Sequence, residues 1–317
     1  MNRRRQWLGL ALLALCFAGI SCKRTAPANE VTLACGVDGA VAQSVLAQFE
    51  KETGIHVIVR RDGTAARLLA ERGKAQADVW WSADMLATVR LCEEGVFAAD
   101  AAAPTAGILS RYKDAGGRWA GNALRVRVLA VTRIGDGAAM AGTVHHLADM
   151  THPAFKDHIA WSGLPDVTAF HGIWGNGKAD GFFNALKENG LKTLSGSELA
   201  QQVGQGTIWV GVCDASDVWA AQAAGGKLDA VLPDQDGAGT LAMPCTVALV
   251  SGAAHPQQAR KLVDFLLSSQ VEQKLLDAHY AQYSVFRPET TIKIMDVNWQ
   301  EAARKPATEP GRGGPGL

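Results

Sequence analysis

Neither sign of charge prevails in this 317-residue chain: 31 basic and 31 acidic residues cancel, and no basic run occurs after residue 5. Binding a phosphate backbone needs a cationic excess or patch, so nucleic acid is excluded as the expected partner. Catalytic signatures are missing as well. The chain has no GxxxxGK[ST] loop, no GxSxG elbow and no HExxH pair. "GVDGAVA", from Gly36, lacks the third glycine and the acidic ribose partner that a dinucleotide loop requires. Of the six cysteines none shows metal-ligand spacing, and a chain of this length needs no disulfide staples. Cys35, Cys92, Cys213 and Cys245 are expected mostly as buried free thiols. His145, His146, His152 and His158 lack the i, i+4 pairing to carboxylates that would mark a metal site, and are expected on the solvated surface. No cofactor and no metal is expected.

Long apolar runs are also scarce. The one present, "WLGLALLALCFAGI" (Trp7 to Ile20), follows "MNRRRQ" and is too short to span a bilayer comfortably. With "SCKR" after it, the segment reads as a signal peptide, residues 1–22. Its end resembles a lipobox, with small Ser21 before a lipidated Cys22, although Gly19 stands where a branched apolar residue is usual. The expected protein is therefore exported, periplasmic and lipid-anchored. Losing Arg3, Arg4 and Arg5 leaves it slightly acidic.

Past a polar tether, residues 23–30, short apolar runs alternate with amphipathic ones. "VTLACG" reads as a buried strand. The helix after it carries Val41, Val45, Leu46 and Phe49 on one face and stops at Gly54. "IHVIVRR" and "ADVWWSA" are further strands, "TAARLLAERG" and "MLATVRLCEEG" further helices. The spacing predicts long strands in "NALRVRVLAVTR" and "TLAMPCTVALVSGA". "TVHHLADMTHPAFKDHIAW" reads as a helix, a turn at Pro153 and a strand into Trp161. "SELAQQVGQG", "TIWVGVCDA" and "DVWAAQAAGG" give helix, strand and helix. This alternation signals a parallel α/β architecture.

Small and acidic residues gather where strands pass into helices: "CGVDGA", "RRDGTA", "WWSAD", "SGLPDVTAFH", "LSGSE" and "CDASD". Helix capping favours these residue types anywhere. A ring of helix starts would also offer backbone N–H groups to an anion. Composition alone does not separate the two. In "WW", one ring is expected in the core and the other near the ligand end of its strand.

The order of segments decides the family resemblance. "VLAQFEKETGIHVIV", "QADVWWSADMLATVRLCEEGVF", "GGRWAGNALRVRVLAVTR", "LADMTHPAFKDHIA" and "VLPDQDGAGTLAMPCTVALVSGAAHPQQARKLVDFLLS" together resemble the ferric-iron-binding-protein-like family of bacterial periplasmic solute-binding proteins, the receptors of ABC importers. The resemblance runs from Val31 to about Phe286. It implies an α/β, two-lobed periplasmic binding protein fold (type II), with two hinge strands and a ligand cleft between the lobes. The implied division is residues 31–126 for the first lobe, 127–240 for the second and 241–276 for the return to the first. A C-terminal helical segment (277–303) and a disordered tail (304–317) follow. The implied partners are a small anionic solute and an ABC permease, with the protein itself a monomer.

Iron-binding members carry an adjacent tyrosine pair after the strand that matches "TIWVGV". Here "CDASDVWA" stands in that place, and the chain has only Tyr112, Tyr280 and Tyr283. The segment is more similar to the branch with a "TDTDD"-like stretch, which implies an organic or phosphorylated anion. The expected binding residues are Asp38, Gly39, Gly63, Thr64, Trp81, Ser82, Asp84 and Arg125 from the first lobe. Those from the second are Thr168, His171, Ser195, Ser197 and Asp214. Arg127, on the same strand face, is the alternative to Arg125. Ferric ion held by non-tyrosine ligands or a synergistic anion is the rival solute. An enzyme using His171 and Asp214 as an acid–base pair is the rival of another class, and a sensor subunit a third. If Cys22 carries the anchor, Cys22→Ala is expected to move the protein from the membrane fraction to the soluble periplasm, and fractionation followed by immunoblotting checks this.

Overall fold

The structure, a computed structural model, describes residues 29–62, 64–100, 102–286 and 292–304. The signal segment with Cys22, Gly63 and the tail beyond Arg304 lie outside the described residues. The chain begins with β1 (Glu30–Cys35), α1 (Gly39–Thr53), β2 (His56–Arg60), α2 (Ala65–Ala70), β3 (Val79–Ser82), α3 (Met85–Glu93) and β4 (Phe97–Ala98). The long β5 (Ala120–Thr132) leads out of this first lobe. The second comprises α4 (Ala138–Ala141), β6 (Ile159–Trp161), α5 (Leu164–Trp174), α6 (Asn176–Glu188), β7 (Lys192–Thr193), α7 (Gly196–Gly204), β8 (Val210–Asp214), α8 (Ala215–Ala223) and β9 (Leu228–Val231). The chain returns on β10 (Ala242–Val250) and ends with α9 (Pro256–Leu266), α10 (Ser269–Asp277) and α11 (Trp299–Arg304).

Local sequence explains these elements. Ala42, Val45, Leu46 and Phe49 recur at helical spacing on α1, and all four are buried. Asp38 caps its start by accepting from the N–H groups of Ala40 and Val41. Gly54, at φ 67°, ends it in the left-handed conformation that glycine adopts without penalty. The expected helix before Pro153 is instead a 3-10 turn, Leu147–Thr151, and a second 3-10 turn, Pro153–Phe155, begins at the proline. Asp149 folds back onto the N–H groups of His145 and His146, and proline then supplies no donor to continue a helix.

One sheet runs through both lobes in the order β2-β1-β3-β10-β5-β8-β6-β7, with β4 on β10 and β9 on β5. Strand β5 changes neighbours along its length. Ala120 to Val126 pair antiparallel with β10, whereas Arg127 to Val131 pair with β8. The handover falls between Val126 and Arg127. Beyond it Leu129 to Thr132 also pair with β9.

The first lobe packs α1, α9 and α10 on one sheet face, around Leu33, Phe49, Trp81 and Leu262. Leu199, Val203, Ile208 and Val218 form a core in the second. A third cluster spans both lobes, from Trp80, Met85 and Phe97 to Trp161, Phe170 and Phe183, and it includes Met295, Trp299, Ala302 and Ala303. The C-terminal segment therefore joins the two lobes. Its Met295 N–H donates to the Thr240 carbonyl, and Arg90 of α3 donates to the Ala303 carbonyl at 2.7 Å. Cys35, Cys92 and Cys245 are buried free thiols, and Cys213 is buried as well.

Gly172 of α5 lets α11 approach: a Cβ there would lie 2.6 Å from the Ala302 Cβ and 2.7 Å from its Cα. Backbone cannot yield as a flexible side chain does, so Gly172→Ala is expected to displace α11 at the cost of overpacking, about 1–3 kcal/mol. A lowered thermal midpoint, together with faster proteolysis between α10 and α11, checks this.

Candidate functional site

Two arginines at the handover of β5 define the site. Arg125 and Arg127 are two residues apart and so share a strand face. The β5–β8 register places Asp214, the last residue of β8, directly opposite Arg127. Its carboxylate contacts Arg125 Nη2 and lies 3.3 Å from Arg127 Nη1. Arg127 is also held from behind: Nη2 donates to the Ser162 carbonyl and hydroxyl and, at 3.4 Å, to the Val212 carbonyl. Arg125 stacks over the Tyr280 ring, 4.6 Å from its centroid. The side chains of Arg125, Arg127 and Asp214 are 17%, 7% and 15% exposed, so water screens them poorly.

These groups line a cleft of about 470 Å³. The first lobe contributes Arg61, Thr64, Trp80, Ser82 and Asp84, the crossing strands Arg125, Arg127 and Met243, and the second lobe Gly163 and Asp214. Arg61 donates to the Val37 carbonyl. Asp84 caps α3, accepting from Ala87 N–H at 2.9 Å, while the Ser82 hydroxyl accepts from Asp84 N–H at 3.0 Å. Thr64 likewise caps α2, through Arg67 N–H. Three guanidiniums thus face two carboxylates, one of them tied to a helix start.

The surroundings sharpen this balance. Burial alone would push the Arg125 guanidinium down, but the Asp214 carboxylate beside it outweighs that, and the net direction is up. Burial pushes the Cys245 thiol up to about 12 and the Tyr280 phenol up as well, so both stay neutral beside the arginine. Asp217, behind Asp214, is raised by burial and by the neighbouring carboxylate. Among the described residues no group of three or more His, Cys, Asp or Glu side chains is arranged to hold a metal ion.

Of the residues expected from sequence, Thr64, Ser82, Asp84, Arg125 and Asp214 meet in this cleft, together with the alternative Arg127. The others fall elsewhere. Trp81 is fully buried in the first-lobe core, and alternation along β3 gives the cleft wall to Trp80 instead. Asp38 and Gly39 form the exposed start of α1, outside the cleft lining. Thr168 is buried within the second lobe. His171 lies 2.8 Å from Asp180 and stacks on Phe183, while Asp214 belongs to the arginines, so the supposed acid–base pair is not assembled. Ser195 caps α7 through Glu198 N–H, and Ser197 borders a separate hollow between α7 and α8.

Arg61, Trp80 and Tyr280 are the residues that sequence reasoning missed. For Arg61 a signal existed. In "RRDGT" Arg60 turns to Glu71 and the next residue must turn the other way, into the cleft. Tyr280 comes from the loop after α10, far from β5 in sequence, and no local pattern announces it.

Solved structures of the same architecture place the fold. Apo ferric ion-binding protein A of Pasteurella haemolytica superposes with a TM-score of 0.75 at 18% identity, over 87% of this chain and 94% of that one. AfuA of Actinobacillus pleuropneumoniae, with exogenous fructose-6-phosphate bound, gives 0.72 at 21% over 86% and 93%. Iron-bound HitA of Pseudomonas aeruginosa gives 0.68 at 22% over 78% and 84%. These likenesses establish the two-lobed periplasmic binding protein fold. No curated protein sequence matches the chain. Residues 31–281 match the family described as bacterial extracellular solute-binding protein, a span that takes in both lobes and every cleft residue named above, and the chain belongs to that family.

Proposed function

We propose that the protein captures a small anionic solute, bearing a carboxylate or a phosphoryl group, in the interlobe cleft and delivers it to the permease of an ABC importer. The observation that carries this reading is the pair of shielded guanidiniums on β5, with Arg61 across the cleft. Planar, permanently charged forks match carboxylate and phosphoryl oxygens in geometry as well as sign. The solute would bridge groups from both lobes and favour the closed arrangement, the form that docks on the permease. The fructose-6-phosphate bound to AfuA supports a phosphorylated anion. Anchoring through Cys22 and action as a monomer belong to the same proposal.

Ferric ion is the second reading, favoured by the similarity to the ferric ion-binding protein and to iron-bound HitA. Hard ferric ion wants anionic oxygen donors. The tyrosine nearest the site, Tyr280, is held neutral and has its ring face under a guanidinium, so it makes a poor phenolate ligand. Adding ferric citrate to the purified protein is therefore expected to produce no visible phenolate-to-iron charge-transfer band. An intense band would favour iron over the organic anion.

The anion itself is tested by native mass spectrometry of protein purified without refolding, followed by calorimetry with the solute so identified. A charged hydrogen bond contributes about 1.5–3 kcal/mol. Arg125→Ala is thus expected to weaken binding at least about tenfold. Its thermal melt should stay cooperative, because Arg127 remains to neutralise Asp214. Thr64→Ala should weaken binding less, since Thr64 brings no charge to the cleft. Unchanged affinity in Arg125→Ala would remove that arginine from the site.

A further inference from the structure

The carboxylate at the end of β8 has two sets of donors within its reach. Asp214 occupies the N-cap position of α8 with φ −69° and ψ 144°. Thr64, Ser195 and Ser268 stand at the same position on their helices, with φ of −69°, −67° and −74° and ψ of 156°, 156° and 151°. Each of those three side chains accepts the N–H of the residue three places on. Aspartate is among the best capping residues, and Asp38 and Asp84 cap their own helices in this chain. Asp214 has the backbone and the chemistry of a cap, yet its side chain makes no cap hydrogen bond. The Asp214 carboxylate is turned onto Arg125 and Arg127 instead. Its hold there is imperfect. Oδ1 is buried and makes no hydrogen bond of acceptable geometry, although Arg127 Nη1 is 3.3 Å away.

We propose that Asp214 is a tethered competitor for the anionic group of the solute, and that it sets which anions the cleft accepts. The inference rests on the reading of the cleft as an anion site. Asp214 and the solute compete for the same guanidiniums. When the solute takes them, Asp214 rotates onto the Asp217 N–H and completes the cap of α8, where the positive end of the helix dipole receives its charge. An entering carboxylate only replaces one carboxylate by another on the arginines and gains little. An entering phosphoryl dianion brings twice the charge and three acceptor oxygens, and displaces Asp214 with a net gain. The tethered carboxylate therefore sets a threshold that a phosphoryl solute passes and a lone carboxylate, which gains little, does not.

The test uses the mature full chain with inorganic phosphate and acetate as minimal probes, titrated by 1H–15N NMR. Phosphate is expected to shift the Asp217 amide downfield as the cap forms, with a midpoint well below that of acetate. Asp214→Asn keeps the shape and the capping oxygen but removes the competing charge. It is expected to bind phosphate at least about tenfold more tightly. It should tighten acetate by a similar factor, because displacing Asp214 costs the same whichever anion displaces it. If Asp214→Asn binds phosphate no better than wild type while Arg125→Ala binds it worse, Asp214 is an ordinary member of an anion site and the competitor role is overturned. If Arg125→Ala and wild type bind phosphate alike, or wild type does not bind it, the anion site itself fails and the threshold with it. If Asp214→Asn does not fold, the wild-type titration decides alone, and an Asp217 amide unmoved at saturating phosphate overturns the rotation.

Discussion

The structure depends on one strand serving two lobes. β5 gives its first half to β10 and its second half to β8 and β9, and the exchange happens within a single peptide step. A residue at that step belongs to both halves of the molecule. Arg125 precedes the step and Arg127 follows it, so the pair is registered to the strands of both lobes. A binding group placed on a loop of either lobe would move with that lobe alone. Here the charged centre of the cleft sits on the axis about which the lobes are joined.

Placing two guanidiniums there carries a constraint. Burying a charge costs several kcal/mol unless it is paired and hydrogen-bonded. The antiparallel register answers this by ending β8 on an aspartate opposite Arg127, and the Ser162 and Val212 carbonyls accept what Asp214 cannot reach. Tyr280 meets the face of Arg125, where no acceptor is needed. Neutral Tyr280 and Cys245 add no competing charge beside it. The pair is therefore tolerated by a set of contacts drawn from the residue after β6, from β8 and from the loop after α10, each more than thirty residues from Arg127 in the sequence.

That dispersal explains what was legible in the sequence. Apolar periodicity located α1, α3, α7 and both crossing strands, because each records its own burial in its own residues. The arginines, Asp214, Thr64, Ser82 and Asp84 were legible as chemistry, since charge and capping side chains stand out at strand ends. Which helix starts face the cleft was not. Ser195 and Thr64 have the same cap geometry and the same residue class, and only the packing of their lobes puts Thr64 in the cleft and leaves Ser195 exposed outside its lining. The tryptophan pair failed for a narrower reason. Alternation put the two rings on opposite faces, but both faces are covered, Trp81 by the first-lobe core and Trp80 by the cluster that includes α3, and which ring also reaches the cleft is a tertiary fact. His171 was misplaced because a histidine near a predicted cleft looks available until Asp180 and Phe183 are seen to hold it.

The C-terminal segment adds a constraint that the two crossing strands do not. Trp299, Ala302 and Ala303 pack in a cluster with residues of α3 from the first lobe and α5 from the second, and Gly172 permits contact down to the backbone. Both helices start at the cleft rim, at Asp84 and Gly163, and meet α11 nearer their other ends. A strand crossing can act as an axle, because twisting a strand disturbs few contacts. A helix wedged between two lobes cannot be twisted in that way. Any separation of α3 from α5 must expose the face of α11 on one side or the other, and burial of its apolar side chains, at roughly 25 cal/mol per Å², opposes that exposure. The relative position of the lobes is thus held from two sides at once, by the hydrogen-bonded crossing at Val126–Arg127 and by apolar packing around Trp299. The first holds direction, since its donors and acceptors must stay aligned, and the second holds distance, since its contacts vanish within a few ångströms. Together they limit how far Arg61 stands from the β5 arginines across the cleft, and with that the size of the anion that can touch both in the closed arrangement.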